Sequence, residues 1–101
     1  MHALEKHPLV DCDLEEAALW YDQRNPSAAL RLIDAAQEAM RTVALHPLRF
    51  SKRFEDVRHM RLRGFPYCLY FQLFDDRVYV LAIAHDARDL ASLLRRRKVA
   101  G

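Results

Sequence analysis

The fold is decided by one stretch, Val57-Arg58-His59-Met60-Arg61-Leu62-Arg63-Gly64-Phe65-Pro66-Tyr67, which opens the region from Asp56 to Asp89. Successive side chains of a strand point to opposite faces, so residues 57–63 would form a two-faced strand. One face would carry His59, Arg61 and Arg63, and the other Arg58, Met60 and Leu62. Gly64-Phe65-Pro66 is typical of a turn. The stretch therefore predicts a basic strand that reverses direction at residue 64.

Two further strands are expected after this turn. Residues 67–74 are dense in aromatic and apolar side chains, which predicts a central strand buried on much of both faces. Asp75-Asp76 predicts a tight hairpin connection to a third strand, Val78–His85. Strict alternation would put Tyr79, Leu81, Ile83 and His85 on one face of that strand, and Val78, Val80, Ala82 and Ala84 on the other. The three strands would form an antiparallel meander.

Two helices are expected before the meander. Asp13 can cap the first helix, because Glu16 lies three residues on, as a capping box requires. Pro26 disfavours helix at Asn25, so Asn25-Pro26 predicts the start of a second helix. That helix would run through Leu45 and end at His46-Pro47. The short connection between the two helices predicts an antiparallel hairpin.

The remaining segments carry weaker signals. Leu4–Asp11 predicts a short first strand, and residues 48–56 predict a loop because they show no clear period. Asp86 can cap a short last helix that would dock through Leu90, Leu93 and Leu94. The run Arg95-Arg96-Arg97-Lys98 begins a basic tail, residues 95–101, which could bind phosphate.

Length and composition predict one soluble domain over residues 1–101. Its apolar runs are too short to cross a membrane, and the first ten residues lack the apolar segment of a signal peptide, so a cytoplasmic protein is expected. Cys12 and Cys68 belong to no CxxC motif and are expected to be structural thiols. Residues 1–50 hold five Lys and Arg against eight Asp and Glu, and residues 51–101 hold eleven against six. The second half is thus basic, which suggests a polyanion or an acidic protein as partner.

Most chemical motifs are missing from the sequence. It has no Gly-rich phosphate loop, no HExxH, no nucleophile elbow and no paired CxxC motifs, so neither a metal nor a cofactor is expected. His85 and the arginines of the first meander strand are compatible with RNA cleavage without a metal. Histidine can move protons near neutral pH, and arginine can bind phosphate. The alternative is that His85 is a strand-end residue bonded to a neighbour.

Several motifs, taken together in order, resemble the RelE/ParE superfamily, the toxins of type II toxin–antitoxin systems. The matching segments span roughly Val10 to Arg97: Asp13-Leu14-Glu15-Glu16-Ala17, Trp20-Tyr21, Ala28-Ala29, Asp56-Val57-Arg58, Leu62 to Tyr70, and Val80-Leu81-Ala82-Ile83-Ala84-His85 with Arg88. The resemblance implies an α+β domain of order β-α-α-β-β-β(-α), with the helical hairpin packed on one face of a small, mainly antiparallel sheet. It also implies a cognate antitoxin as partner, and either messenger RNA cleavage on the ribosome or inhibition of DNA gyrase.

Two positions favour the ParE-like branch, whose members block gyrase and need no nuclease residues. Cys68 stands where RelE-like nucleases commonly carry an arginine, and Asp86 stands where a tyrosine often follows the histidine. The leading hypothesis is therefore a toxin that binds gyrase through basic residues: Arg58, Arg61, Arg63, Arg88, Arg95, Arg96, Arg97 and Lys98. The second is a ribosome-dependent endoribonuclease that uses His85, Arg61 and Arg63. The third is a non-toxic, basic module that binds RNA or the ribosome.

His85 separates the first two hypotheses. If the chain is a nuclease, His85→Ala should abolish toxicity. If it is a gyrase inhibitor, the same change should leave most toxicity, and truncation after Asp89 should remove it.

Overall fold

A computed structural model describes residues 2–99. These residues form three α-helices, five strands and a short 3₁₀-helix at Pro47–Arg49. The elements are β1 (Ala3–Lys6), α1 (Val10–Asp22), α2 (Pro26–Leu45), β2 (Lys52–Phe54), β3 (Val57–Arg61), β4 (Tyr67–Leu73), β5 (Arg77–His85) and α3 (Leu90–Arg97). The predicted α+β class is confirmed. The last two residues of the predicted basic tail, 100 and 101, lie outside the described residues.

The strands form one mixed sheet in the order β1-β5-β4-β3-β2. The three predicted meander strands, β3, β4 and β5, are confirmed as antiparallel neighbours, and β1 pairs with β5 in parallel. The prediction of a loop over residues 48–56 is wrong, because this segment contains part of the 3₁₀-helix and β2. A register shift in the pairing of β2 with β3 interrupts the alternation of its side chains, which explains why its sequence shows no period.

The helical hairpin is confirmed. Pro26 is the first residue of α2, and the helix ends before His46-Pro47, as predicted. The expected start of α1 at Asp13 is wrong, because the helix begins at Val10 and the backbone N–H of Asp13 donates to the carbonyl of Leu9. Asp13 is therefore an internal residue of α1, and its carboxylate has another role.

Two apolar cores lie on the two faces of the sheet. On the hairpin face, α1 and α2 bury Leu32 and Ala36 against Leu69, Phe71 and Val80. On the opposite face, called the α3 face here, the helix α3 packs over the sheet. The buried residues of the core on the α3 face are Val57, Cys68, Tyr70, Leu81, Ala82, Ala84, Leu93 and Leu94.

A β-bulge changes the face of each residue in the second half of β5. Tyr70 pairs with Ala82 and Phe71 pairs with Val80, so Leu81 is the extra residue. The predicted alternation is therefore wrong beyond this point. Val78 and Val80 contact the hairpin, whereas Ala82 and Ala84 lie on the α3 face. The bulge leaves Ile83 and His85 on the hairpin face.

The short last helix is confirmed, and its leucines dock it on the sheet as predicted. Its N-cap is Asp89, whose carboxylate accepts from the N–H of Ser92 at 3.5 Å, so the prediction of Asp86 as the cap is wrong. Asp86 instead forms an ion pair with Arg61. Among residues 2–99, no helix combines the length and apolarity needed to cross a membrane.

Candidate functional site

Arg61 lies at the end of β3 on the α3 face. It pairs with Cys68 of the neighbouring strand β4, and Cys68 pairs with Ala84 of β5. Its guanidinium donates to the carboxylate of Asp86 at 2.6 Å, and both side chains are exposed to solvent. The thiol of Cys68 lies 3.7 Å from the same carboxylate. Burial, and then the negative charge of Asp86, raise the pKa of the Cys68 thiol above its ordinary value.

His85 lies at the end of β5 on the hairpin face. It pairs with Tyr67, and the two rings meet edge to face at 5.2 Å between centroids. Its Nδ1 accepts the N–H of Ala87 at 3.0 Å, so the imidazole is a strand-end residue bonded to a neighbour, as the alternative reading expected. The ring lines a cleft of about 180 Å³ together with Glu16, Trp20 and Arg88.

The three residues expected to act together in a nuclease do not share a face. Arg61 lies on the α3 face and His85 on the hairpin face, although Arg61 is bonded to Asp86, the residue after His85. Arg63 follows β3 in the turn, where it lines a different cleft beside α2 with Asp34 and Glu38. The next residue, Gly64, has a φ of +84°, which favours glycine and reverses the chain there. The bulge at Leu81 is part of the reason for this separation.

The basic run at the end of α3 contains two exposed residues, one buried residue and one partly buried residue. Arg95 and Arg96 are exposed; Arg95 lies over the ring of Phe54, and Arg96 donates to the hydroxyl of Ser92. Lys98 is bonded to Asp56 at 2.6 Å and to Glu55 at 3.0 Å. Arg97 is only 8% exposed. Of the four cations in the run, Arg95 and Arg96 are therefore the two exposed to solvent.

Arg97 forms a buried ion pair with Asp13 of α1. The guanidinium donates to both oxygens of the carboxylate, at 2.5 and 2.9 Å. One signal in the sequence could have shown that Arg97 is buried, because Arg97 continues the spacing of Leu90, Leu93 and Leu94 and so must face the sheet. Asp13 likewise falls between Val10 and Ala17 on the buried face of α1.

Arg58 has an internal role as well. It is half-buried on the hairpin face, and its guanidinium donates to the carbonyl of Phe50 at 2.7 Å. This bond holds the segment before β2 against β3. Of the basic residues predicted to bind a target, the structure exposes Arg61, Arg63, Arg88, Arg95 and Arg96.

A further cleft, which was not predicted, lies between α1 and α2. It encloses about 620 Å³, with Leu14, Ala18, Ala29 and Ile33 among its lining residues. Leu19 and Leu30 also line it and are 58% and 67% exposed. Three carboxylates belong to the same lining, those of Asp11, Glu15 and Asp22. The result is an apolar groove with acidic residues, on the solvent side of the hairpin.

Comparisons with known proteins identify the family. A solved chain entitled "Chromosomal ParDE TA system from P. aeruginosa" matches with a TM-score of 0.74 and 19% sequence identity, covering 84% of this chain and 96% of that chain. That identity supports likeness of fold alone. None of the curated proteins matches the chain. The family model for "ParE toxin of type II toxin-antitoxin system, parDE" matches residues 4–90. With most of its length matched, the chain belongs to the ParE toxin family of type II toxin–antitoxin systems.

Proposed function

We propose that this toxin arrests growth by binding DNA gyrase and is neutralised by a cognate antitoxin. The observation that carries the choice of gyrase over messenger RNA is that His85 and Arg61 lie on opposite faces of the sheet. RNA cleavage needs a proton-transferring group and a cation in contact with one phosphate. His85 and Arg61, on opposite faces of the sheet, do not meet that requirement as a pair, whereas binding to a protein target needs only an exposed surface.

The proposed gyrase surface is the exposed end of α3 with its two arginines, Arg95 and Arg96. Both are exposed, and both follow the leucines that dock the helix on the sheet. Arginine is enriched at protein interfaces because its planar head makes several hydrogen bonds. Arg88, at the other end of α3, extends the basic surface towards His85.

Truncation after Asp89, which the sequence suggested as a test, would not separate surface loss from unfolding. It would remove the buried Leu93 and Leu94 from the α3 core and leave Asp13 buried without its partner. A buried charge that loses its partner is strongly destabilising, by roughly 3–5 kcal/mol. Substitutions of exposed arginines avoid this problem.

The test is a supercoiling assay with purified gyrase and toxin. We expect the wild-type protein to inhibit supercoiling, and Arg95→Gln/Arg96→Gln to weaken inhibition by about tenfold, which corresponds to about 1.4 kcal/mol. The matched control is Arg41→Gln/Arg49→Gln, which removes two exposed arginines from another part of the chain and should inhibit like wild type. His85→Ala should also retain activity.

The endoribonuclease hypothesis makes the opposite prediction. His85 and Arg88 line one small cleft, so a proton-transferring group and a cation are close together there. Wild-type protein that leaves gyrase active but cuts messenger RNA only on translating ribosomes would overturn the gyrase proposal. Loss of those cuts in His85→Ala would then assign the cleft to catalysis.

The antitoxin is proposed to cover the apolar groove between α1 and α2. Exposed leucines at a groove are a common signature of a binding surface for another protein. Leu19→Glu/Leu30→Glu should weaken antitoxin binding by more than about tenfold, because it places charges on that surface. Leu48→Glu is the control, since Leu48 is 74% exposed and does not line the groove. Equal binding of all three proteins would contradict the assignment.

Co-expression offers a second check on the antitoxin. The strand β1 lies at an edge of the sheet and is exposed along its length, which favours association with other chains. Antitoxins of such systems are expected to be encoded beside the toxin. We therefore expect a higher soluble yield when the reading frame next to that of the toxin is expressed with it. Equal yields would count against an antitoxin encoded there.

A further inference from the structure

One edge of β5 is hydrogen-bonded to β1 in its first half. In its second half, the same edge is hydrogen-bonded to the side chains of Asp13 and Arg97. The strand β1 pairs with residues 77–80, and the N–H of His7 then donates to the carbonyl of Val80 at 2.8 Å. Beyond this point, the carbonyl of Leu81 accepts from Arg97 at 3.2 Å, and the N–H of Ile83 donates to Asp13 at 3.0 Å. The ion pair therefore satisfies backbone groups that a longer β1 would otherwise have satisfied.

The ion pair also joins the two faces of the sheet. Asp13 belongs to α1 on the hairpin face, and Arg97 is the last residue of α3 on the opposite face. Their side chains are 6% and 8% exposed and meet at the open edge of β5. A helix at the far end of the chain is thus fixed to the first helix by charge-assisted hydrogen bonds.

The two residues after Arg97 are fixed as well. The N–H of Val99 donates to the side-chain oxygen of Gln72 at 2.9 Å, and the amide nitrogen of Gln72 donates back to the carbonyl of Val99 at 3.1 Å. Gln72 is 1% exposed, so this amide is built into the sheet. Lys98 is bonded to Glu55 and Asp56. We call residues Arg97–Val99, with these partners, the C-terminal clamp.

Arg95 and Arg96 lie between two kinds of anchor. Leu93 and Leu94 hold α3 from one side, and the C-terminal clamp holds it from the other. An eight-residue helix is marginal on its own, and its last turn frays unless its carbonyls find partners. The position of the helix turn that carries both arginines therefore depends on the clamp, although neither arginine belongs to it.

We propose that Asp13 is a positioning residue of this toxin, which acts through Arg97 to hold the last turn of α3 so that Arg95 and Arg96 face the target. The inference rests on the proposed function in one respect, the use of these two arginines at the target surface. It adds Asp13 of α1 to the determinants of toxicity. Asp13 lies 84 positions before Arg97 in the chain.

A double substitution separates positioning from stability. Asp13→Ala alone leaves Arg97 buried without its partner and should lower the Tm by more than about 10 °C. Replacing both charges with apolar side chains, in Asp13→Leu/Arg97→Met, often restores stability. The double variant should therefore have a higher Tm than Asp13→Ala, although the N–H of Ile83 and the carbonyl of Leu81 lose their partners, and it lacks the bonds that hold the helix end.

Amide exchange measured by NMR reports on the helix end directly. In the double variant, the N–H groups of Lys98 and Val99 should exchange at least tenfold faster than in wild type, and those of Leu69 and Phe71 should be unchanged. Growth arrest should fall as far as in Arg95→Gln/Arg96→Gln. Asp75→Ala is the control, because Asp75 is an exposed carboxyl between β4 and β5 and lines none of the clefts described above. Gln72→Met removes the Val99 bonds without touching the ion pair and should also accelerate exchange at Val99.

Two results would overturn the proposal: slow exchange at Lys98 and Val99 in the double variant, or full toxicity despite fast exchange. If the double variant fails to fold, Arg97→Lys decides between the same outcomes, because it keeps a buried cation beside Asp13 but cannot make the two parallel bonds. Failure of the proposed function would look different, because wild-type toxin would not inhibit gyrase. Growth arrest that still depended on Asp13 would then place the same positioning role at another target.

Discussion

At the scale of single residues, the charged side chains Arg97 and Asp86 are each placed by a partner that is distant in the chain. Arg97 belongs to a run of four cations, yet it is buried, because its position in α3 follows the three docking leucines. Asp86 follows the strand-end histidine and would suit a helix cap, yet it lies against Arg61. Both outcomes depend on partners brought close only by the folded chain. Local patterns predicted the residue types of the site but could not predict these pairs.

Asp56 offers a test of the C-terminal clamp through pH. Burial alone would raise the pKa of Asp56, but hydrogen bonds from Lys98 and Gln72 outweigh it and lower the pKa below 3.8. A lowered pKa means that the contact stabilises the fold above the unfolded value of 3.8, and that this contribution is lost as pH falls through the folded value. The bond from Lys98 to Asp56 raises the pKa of Lys98. The contribution of Lys98 to stability is therefore present below its unfolded pKa of 10.5 and is lost as pH rises through its folded pKa.

We therefore expect Asp56→Asn to lower the Tm by a few degrees at neutral pH and low salt. The difference from wild type should disappear below the folded pKa of Asp56, because the wild-type carboxyl is then protonated as well. Thermal unfolding followed by circular dichroism across the acid range measures this. The control is Asp75→Asn, an exposed carboxyl in the β4–β5 hairpin. A Tm difference that stayed constant with pH would show that the charge of Asp56 is not the cause.

At the scale of elements, the helices were easier to predict than the edges of the sheet. Pro26 and Pro47 act on the backbone next to them, so the limits of α2 followed from the sequence. The bulge at Leu81 has no comparable local signal, since Leu81 fits a regular strand equally well. The short strand β2 was missed for a related reason, because its pairing is irregular. Long-range pairing decides such features, and the sequence does not display it.

Helix α2 is expected to depend on its small side chains. Ala36 has no exposed surface and belongs to the core beneath the hairpin. Ala36→Leu should destabilise the protein by about 1–3 kcal/mol because the larger side chain overpacks this core. The corresponding fall in Tm is about 4–20 °C for a domain of this size, measured by calorimetry.

Ala35 provides the matched control on the same helix. It is half-buried and lines the open cleft beside Arg63 and Phe65, so a leucine side chain has room there. Ala35→Leu should change the Tm by much less than Ala36→Leu. Similar losses for the two variants would mean that helix α2 is not limited by packing against the sheet.

At the scale of the whole molecule, the asymmetry of charge follows the architecture. The acidic half of the chain forms the hairpin and its groove, whereas the basic half forms the meander and α3. The sequence predicted this division, the fold class and the family. It did not predict the acidic groove, because the groove is formed by residues from two helices that meet only after folding. Two surfaces of opposite sign suit two different partners.

The basic surface should make target binding depend on salt. Exposed charges at the rim of an interface act mainly through long-range attraction, which salt screens over a Debye length of about 10 Å at 0.1 M. Raising ionic strength from about 0.05 M to about 0.2 M should weaken gyrase inhibition by wild-type toxin several-fold. Arg95→Gln/Arg96→Gln should show a smaller loss over the same range, because fewer charges remain to be screened.

The acidic groove allows the same reasoning to be applied to the antitoxin. Salt should weaken antitoxin binding through the carboxylates of Asp11, Glu15 and Asp22, but it does not screen the apolar contact of Leu19 and Leu30, so the loss should be smaller than for gyrase inhibition. Binding assays for both partners, run in the same salt series, provide the comparison.

Equal salt dependence for wild type and the arginine variant would remove Arg95 and Arg96 from the gyrase surface. The search would then move to Arg61, Arg63 and Arg88, the remaining exposed arginines of the predicted set.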